Sequence, residues 1–299
     1  MMKKVFSLFS LALMLVCCNF VFTSCGDDDD DDDDDVVVEK HYSSKDLIGT
    51  WEYTPDDAPG TISSTTFFED GTAMNVVRDK VVDPSSTDTD KDGVIYKLIE
   101  TYEVVGDSIF FVHKHQYSIS RYKDSMWHPL DDESRKGAKF EFVDENTLKI
   151  YDSENKEKPE IIMHRNTSAK VEKIELFDKR IIGTWEMIVD HGLCRDVLIF
   201  DADGKYHQMD QDINKDSSVK YYDDNLTYYQ TKGYYNTING TINMLQTHEW
   251  DHKWDEKEWR KERIEGNFSY EIVDENTLNI SYTSYETGKK ETDTFTRVK

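Results

Sequence analysis

Alternating apolar and polar positions, which are typical of half-buried β-strands, dominate the chain beyond about residue 46. Phe140–Ile150 and Tyr270–Tyr282 each contain two such strands, separated by an Asp-Glu-Asn turn. Asp70-Gly71 and Asn239-Gly240 are hairpin signals between β-favouring runs. The one segment that also allows the 3.6-residue period of an amphipathic helix is Trp250–Arg263. Short strands with turn residues between them predict a β-sandwich or a β-barrel.

The pattern occurs twice along the chain. Four blocks of the first half return in the same order in the second half, displaced by 130 to 134 residues: Leu47–Glu52 as Ile181–Glu186, Phe68–Gly71 as Phe200–Gly204, Val105–Ile109 as Ile238–Ile242, and Val143–Leu148 as Val273–Leu278. The last block recurs unchanged. Four blocks in one order at nearly one spacing indicate that a single domain was duplicated.

Each copy spans about 120 residues, a length that suits an eight-stranded up-and-down barrel. We therefore predict an all-β protein of two tandem small antiparallel β-barrels, with domain 1 at residues 46–166, a linker at 167–179 and domain 2 at 180–299. The alternative is an open β-sandwich in which Trp51 and Trp185 are ordinary core residues.

Both copies begin with a Gly-x-Trp motif, at Gly49 and Trp51 in the first and at Gly183 and Trp185 in the second. An arginine stands near the end of each copy, and these two residues are Arg165 and Arg297. This combination resembles the lipocalin signature, and it is most similar to the small lipocalin-like domains of Bacteroidota lipoproteins. The resemblance implies an up-and-down barrel in which the arginine lies across the tryptophan, so that the last strand returns beside the first.

The N-terminus has the order of an export signal. Lys3 and Lys4 precede the apolar run Val5–Phe22, and Thr23 and Ser24 lead to Cys25. The run contains polar residues and is marginal as a membrane-spanning helix. We expect residues 1–24 to be a lipoprotein signal peptide and Cys25 to carry the lipid. Because Phe22 and Thr23 depart from the usual residues before the lipidated cysteine, a plain secretory peptide or an uncleaved anchor stays open.

Nine aspartates, Asp27–Asp35, follow almost directly after Cys25. This arrangement resembles the surface lipoproteins of the Bacteroidota, in which acidic residues after the cysteine direct transfer to the outer face of the outer membrane. The alternative is a solvated spacer, since a block of like charges repels itself and stays disordered, and the two interpretations are compatible. We predict a tether at residues 25–45 and a lipid-anchored, surface-exposed protein of the outer membrane.

Charge and cysteine content narrow the set of partners. The net charge is −25, and loss of the two lysines in the signal takes the mature chain of 275 residues to −27. Such a surface argues against nucleic acid and suits cations or neutral ligands such as glycans. Cys17 and Cys18 leave with the signal and Cys25 is acylated, so Cys194 remains alone. We therefore expect no disulfide.

Two acidic segments are candidate calcium sites. Asp88, Asp90 and Asp92, followed by Gly93, match the start of a calcium loop, but its twelfth position is Ile99 where a bidentate acid is required. A weak calcium site and a solvated acidic hairpin loop are both compatible with this. The second copy echoes the spacing without the glycine, at Asp210, Asp212, Asn214 and Asp216.

Histidines and tryptophans supply the other candidates. His113 and His115 would share one face of a strand, as in β-built zinc sites, but no third ligand is identifiable by spacing. In the second copy four residues alternate with charged ones and form a candidate ligand-binding platform: His248, Trp250, His252 and Trp254. The alternatives are a helix with stacked tryptophans, or packing in the core or a lid.

Motifs of the common catalytic families do not occur in the sequence, so we expect no enzyme and no cofactor other than weak calcium. The favoured function is a lipid-anchored cell-envelope module that binds a small molecule or glycan in or at the mouth of a barrel. The alternative is a structural spacer or assembly partner of other envelope proteins, with filled barrels.

Overall fold

The computed structural model describes residues 42–122, 126–132, 134–151, 159–189, 192–215, 222–223, 225–252, 258–285 and 287–299. The expected signal peptide, Cys25 and the aspartate run lie outside these ranges. Within them, no helix has the length and apolar character that crossing a bilayer requires.

The first copy forms a closed, eight-stranded antiparallel barrel. Its elements are α1 (Ser44–Leu47), β1 (Gly49–Tyr53), β2 (Thr61–Phe67), β3 (Thr72–Asp79), β4 (Val94–Val105), β5 (Ser108–Tyr117), α2 (Ile119–Tyr122), β6 (Trp127–Pro129), β7 (Lys136–Asp144), β8 (Thr147–Tyr151) and β9 (Pro159–Arg165). Neighbouring strands pair in the order β1-β2-β3-β4-β5-β7-β8-β9, and β9 returns to β1. The short β6 is an additional strand that pairs only with β5.

Over its described residues, the second copy repeats this architecture without the additional strand. Its strands are β10 (Gly183–Val189), β11 (Cys194–Phe200), β12 (Lys205–Asp212), β13 (Thr227–Asn236), β14 (Thr241–Asp251), β15 (Arg260–Asp274), β16 (Thr277–Thr283) and β17 (Lys290–Arg297), with a 3-10 turn at Ile238–Gly240. They pair in sequence order and β17 closes on β10. The predicted pair of tandem up-and-down barrels is therefore confirmed, and the open sandwich is not formed. An amphipathic helix over the whole of 250–263 is excluded, because β14 extends to Asp251 and β15 begins at Arg260; residues 253–257 lie outside the described ranges.

The chain divides into two compact units whose limits differ from the sequence copies in one respect. The first unit comprises the described residues of Met1–His113 and Glu133–Val171, and the second those of Lys114–Asp132 and Glu172–Lys299. The described residues of 114–132 belong to the first copy by sequence but pack within the second unit. Strand β5 therefore begins in one unit and ends in the other.

Each barrel has its apolar core at the end where the Gly-x-Trp motif lies. Trp51 and Trp185 are completely buried, and each indole donates a hydrogen bond to a backbone carbonyl, that of Leu47 (2.8 Å) and that of Ile181 (2.7 Å). Around Trp185 pack Leu198, Phe200, Tyr206, Tyr235, Ile242, Leu278 and Phe295. Around Trp51 pack Phe67, Ala73, Tyr102, Ile109, Phe140, Leu148 and Met163. Burial of these side chains is the main driving force for closing each barrel.

Candidate functional site

The arginine of each signature lies over its tryptophan, as the resemblance implied. The guanidinium carbon of Arg165 is 4.2 Å from the centre of the Trp51 ring, and that of Arg297 is 4.1 Å from the centre of the Trp185 ring. In both barrels the two residues are paired neighbours on the closing strands, β1 with β9 and β10 with β17. Barrel closure therefore produces the contact.

The two guanidinium groups also donate hydrogen bonds to backbone carbonyls at corresponding positions of the two copies. Arg165 donates to the carbonyls of Glu145, Ile48 and Asp46. Arg297 donates to the carbonyls of Glu275, Ile182 and Arg180. These contacts satisfy the charged group entirely within the fold, so the signature residues form a closed structural end of the barrel and not a ligand site.

The glycines of the signature make room for this cap. Gly49 has φ +119° and Gly183 has φ +131°, a backbone region that side chains disfavour. A Cβ atom at Gly183 would lie 2.6 Å from Nη1 of Arg297, and one at Gly49 would lie 3.0 Å from Nη1 of Arg165. Glycine is therefore required at both positions by the approach of the arginine.

Strand register identifies the side chains that face the interior of the second barrel. Starting from the core residue Trp185, the paired positions are Leu198, Gln208, Thr231 and Glu249. Two residues further from the closed end, Met187 is followed around the barrel by Asp196, Asp210, Tyr229 and Asp251. Because paired residues share a face of the sheet, Asp196 and Asp210 are neighbours on adjacent strands and both point into the barrel.

Both carboxyl groups hold their protons more strongly than usual. The pKa of Asp196 is raised to about 7, mainly by burial and next by the neighbouring Asp210, while a hydrogen bond from Gln208 opposes the rise. The amide nitrogen of Gln208 lies 3.3 and 3.2 Å from the two oxygens of Asp196. Burial also raises the pKa of Asp210 to about 6. This part of the interior therefore changes its charge close to neutral pH.

Two further groups extend the polar interior. A hydrogen bond with Glu262 is the main reason that the pKa of Glu249 rises to about 7, with burial second. Gln246 occupies an interior position between Gly233 and Ile264, and its amide nitrogen is buried without a hydrogen-bond partner. An unpaired buried amide costs free energy unless a ligand or water satisfies it.

The corresponding row of the first barrel has no carboxyl groups on the two strands that carry Asp196 and Asp210 in the second barrel. Ser63 and Val77 occupy the register positions of Asp196 and Asp210. The amide nitrogen of Asn75 donates to the hydroxyls of Ser63 (3.2 Å) and Thr65 (3.0 Å). Nε2 of His113 lies 3.0 Å from the carboxyl group of Glu100 in the same barrel.

The candidate calcium loop is built around one carboxylate that serves the backbone. Oδ1 of Asp90 accepts the backbone N–H groups of Asp92 and Val94, both at 2.9 Å, and the carboxylate of Asp92 contacts the ammonium group of Lys91. Asp88 lies in the same loop before β4. In the second copy Asp210 and Asp212 lie within β12 and Asn214 follows it, while Asp216 is outside the described residues.

The structural counterpart of Asp90 in the second copy is Asp223. Its Oδ1 accepts the N–H groups of Asn225 (2.8 Å) and Thr227 (2.9 Å), the same pattern at a displacement of 133 residues. A turn that recurs without the surrounding acidic motif is explained by hairpin closure alone. Within the described part of the chain, no group of three or more His, Cys, Asp or Glu side chains is arranged to hold a metal ion.

The proposed histidine and tryptophan platform lies on the outer face of the second barrel. His248 and Trp250 pair with Lys232 and Gln230 on β13, whereas the alternate residues Glu249 and Asp251 face inward. Trp250 is buried, and His252 lies just beyond β14, 6.0 Å from the ring of Tyr228. Trp254 is outside the described residues. The alternation expected for a strand is present, and its face is the outer one.

The histidines considered for zinc have separate partners. His113 contacts Glu100 within the first barrel, and His115 belongs to the second unit, where its Nδ1 faces the side-chain amide of Asn236 at 3.3 Å. Cys194, the free thiol, donates to Asp212 at 3.2 Å.

Comparison of the sequence with family models and with curated proteins finds no match. Asp196 belongs to no motif, and the sequence singled out Asp210 only as part of an acidic segment. An alignment of the two copies places both acids against uncharged residues, Ser63 and Val77, 133 positions earlier.

Proposed function

We propose that the protein is a binding module of the cell envelope, and that its second barrel holds a small ligand rich in hydrogen-bond donors, an amine or a sugar. The observation that carries the proposal is the Asp196 and Asp210 pair, which faces the barrel interior beside a polar wall and above an apolar core. Buried acids in this setting favour a ligand that donates hydrogen bonds or brings positive charge. Gln246, with its unpartnered amide, adds a donor for a ligand oxygen.

The chain offers a matched test of this proposal. The double variant Asp196→Asn, Asp210→Asn keeps the shape of the interior and removes its ionisable groups. Asp203→Asn makes the same chemical change in the exposed turn at the closed end of the same barrel. Titration calorimetry with a panel of small amines and monosaccharides should give binding to the native protein and to the control. The double variant should bind at least about tenfold more weakly, the equivalent of one charged hydrogen bond.

Equal affinity of the double variant and the native protein would place the ligand outside the second barrel. Binding of no member of the panel would favour the alternative function, a structural spacer or assembly partner. In the first barrel the hydrogen bonds of Asn75 to Ser63 and Thr65 suit that role.

We further propose that Cys25 anchors the protein in the outer membrane through its lipid and that Asp27–Asp35 direct it to the cell surface. Cys25→Ala should release the protein from membranes and abolish the incorporation of labelled palmitate. Replacement of the nine aspartates by alanine should keep the label but reduce protease accessibility on intact cells. Labelled palmitate in the Cys25 variant, or unchanged accessibility without the aspartates, would contradict these assignments.

A further inference from the structure

Residues 114–122 and 126–132, called the clasp below, belong to the second unit. Strand β6 of the clasp packs on the outer face of β13 and β14, and His128 contacts Glu265 of β15. The clasp is a hairpin, because the end of β5 pairs with β6 through His115 with Pro129 and Tyr117 with Trp127. The strand face beneath it carries Asn236, Asn243 and Leu245, all of them buried. In the second copy the corresponding strands, β14 and β15, stay paired with each other as far as Glu249 and Arg260.

A buried amide network joins the clasp to this face. Oδ1 of Asn236 accepts hydrogen bonds from the amide of Asn243 (2.7 Å) and from the backbone N–H of Ile238 (3.4 Å). Its Nδ2 must then be the group that donates, and it faces the carbonyl of Trp127 (3.0 Å) and Nδ1 of His115 (3.3 Å). Since a carbonyl can only accept, the orientation of the Asn236 amide is fixed by its backbone partners.

This orientation determines the protonation state of His115. Its Nδ1 must accept, so the closed clasp requires a neutral imidazole with its proton on Nε2. A proton on Nδ1 would set two donors against each other in a site where the ring is buried against Phe177, at 6.0 Å between centroids. We propose that the clasp is a pH-sensitive element, closed when His115 is neutral and released from β13–β15 when His115 is protonated.

Electrostatics support the same direction. Burial, with the adjacent Lys114 second, lowers the pKa of His115 to about 3. Released into water, the imidazole would regain an ordinary pKa of about 6.5. The open state therefore gains a proton below that pH and the closed state does not. The opening constant should rise about 30-fold between about pH 8 and about pH 5.

Other charged or titratable groups lie around the clasp, and their contributions to its pH dependence have to be distinguished from that of His115. Those on the clasp are Lys114, Arg121, His128 and Asp131, and those on β14 and β15 are His248, Lys261, Arg263 and Glu265. His128 bonds to Glu265 at 3.0 Å, and Arg263 bridges Glu265 and Asp131.

Hydrogen–deuterium exchange of the full chain tests the proposal. Protection factors of peptides within 114–122 and 126–132, corrected for the intrinsic rate at each pH, should fall about 30-fold from about pH 8 to about pH 5. His115→Gln keeps an acceptor but cannot titrate, and it should remove this dependence. His207→Gln is the matched control, because His207 also contacts an amide, that of Gln230, but lies outside the clasp. It should leave the dependence intact, and so should His128→Gln.

Equal protection of the clasp at both pH values in the native protein would overturn the proposal. So would a pH dependence that persists in His115→Gln or disappears in His128→Gln. If His115→Gln does not fold, the imidazole of the native protein can be titrated by NMR. Titration of His115 near pH 6.5 with the clasp still protected would contradict the requirement for a neutral ring.

Discussion

The two barrels share one end and differ at the other. At the closed end, Trp51 and Trp185 have the same indole hydrogen bond and the same arginine cover. One row of side chains further into the interior, Ser63 and Val77 of the first barrel stand where the second has Asp196 and Asp210. The closed end is dictated by barrel closure, whereas the row above it can change without loss of the fold. Differences in function between the copies are therefore expected in that row.

The shared end provides the largest expected effect. Trp51→Ala and Trp185→Ala each delete a completely buried indole and should lower the free energy of unfolding of their own unit by about 3–5 kcal/mol. Chemical denaturation followed by exchange of peptides from each unit would measure the two losses separately. A loss below about 1 kcal/mol in only one unit would show that the two closed ends are not equivalent.

The differing row provides the second prediction. The double variant Asp196→Ser, Asp210→Val introduces the residues of the first barrel into the second. At about pH 8 it should raise the free energy of unfolding of the second unit by about 1–3 kcal/mol, because burial of the carboxylates is removed. The native acids ionise near pH 3.8 when unfolded but near pH 7 and pH 6 when folded. The folded state therefore binds more protons in that window, and native stability falls as pH rises through it.

At about pH 4 the advantage of this variant should largely disappear, since the native pair is then protonated. Denaturation midpoints of the native protein and the variant, measured across the pH range, would show this change in relative stability. A native protein whose second unit becomes more stable from about pH 4 to about pH 7 relative to the variant would contradict the raised pKa values.

Prediction from sequence succeeded where a feature is encoded locally or by repetition. The duplication, the strand pattern and the Arg297 contact with Trp185 follow from short motifs at constant spacing. The departure of β5 into a hairpin within the second unit was not predictable, because His115 and Trp127 find their partners more than 100 residues away. The same limit applies to the outward orientation of Trp250, which depends on the register of β14 after a bulge.

The arginine cover gives the third prediction, in which the two barrels should again behave alike. Arg297→Ala should cost the second unit about 1–2 kcal/mol, through loss of the cation–π contact and of three carbonyl hydrogen bonds. Its effect should not add to that of Trp185→Ala, because the residues are in contact. A double-mutant cycle measures the coupling, and Arg165 with Trp51 is the matched pair. Full additivity in either barrel would mean that its arginine acts independently of the tryptophan.

The smallest effect is expected at the turns of Asp90 and Asp223. Only Asp90 lies in the candidate calcium motif, but the two turns have the same hydrogen-bond pattern. Each carboxylate accepts two backbone N–H groups at the start of a strand, so Asp90→Ala and Asp223→Ala should each cost about 1 kcal/mol in their own unit. Because the Asp90 oxygen is already committed to the backbone, calcium should add little. Calorimetry at millimolar calcium should show no difference between the native protein and Asp90→Ala. Sub-micromolar calcium binding that is lost in Asp90→Ala and kept in Asp223→Ala would contradict this expectation and support a calcium site at the first turn.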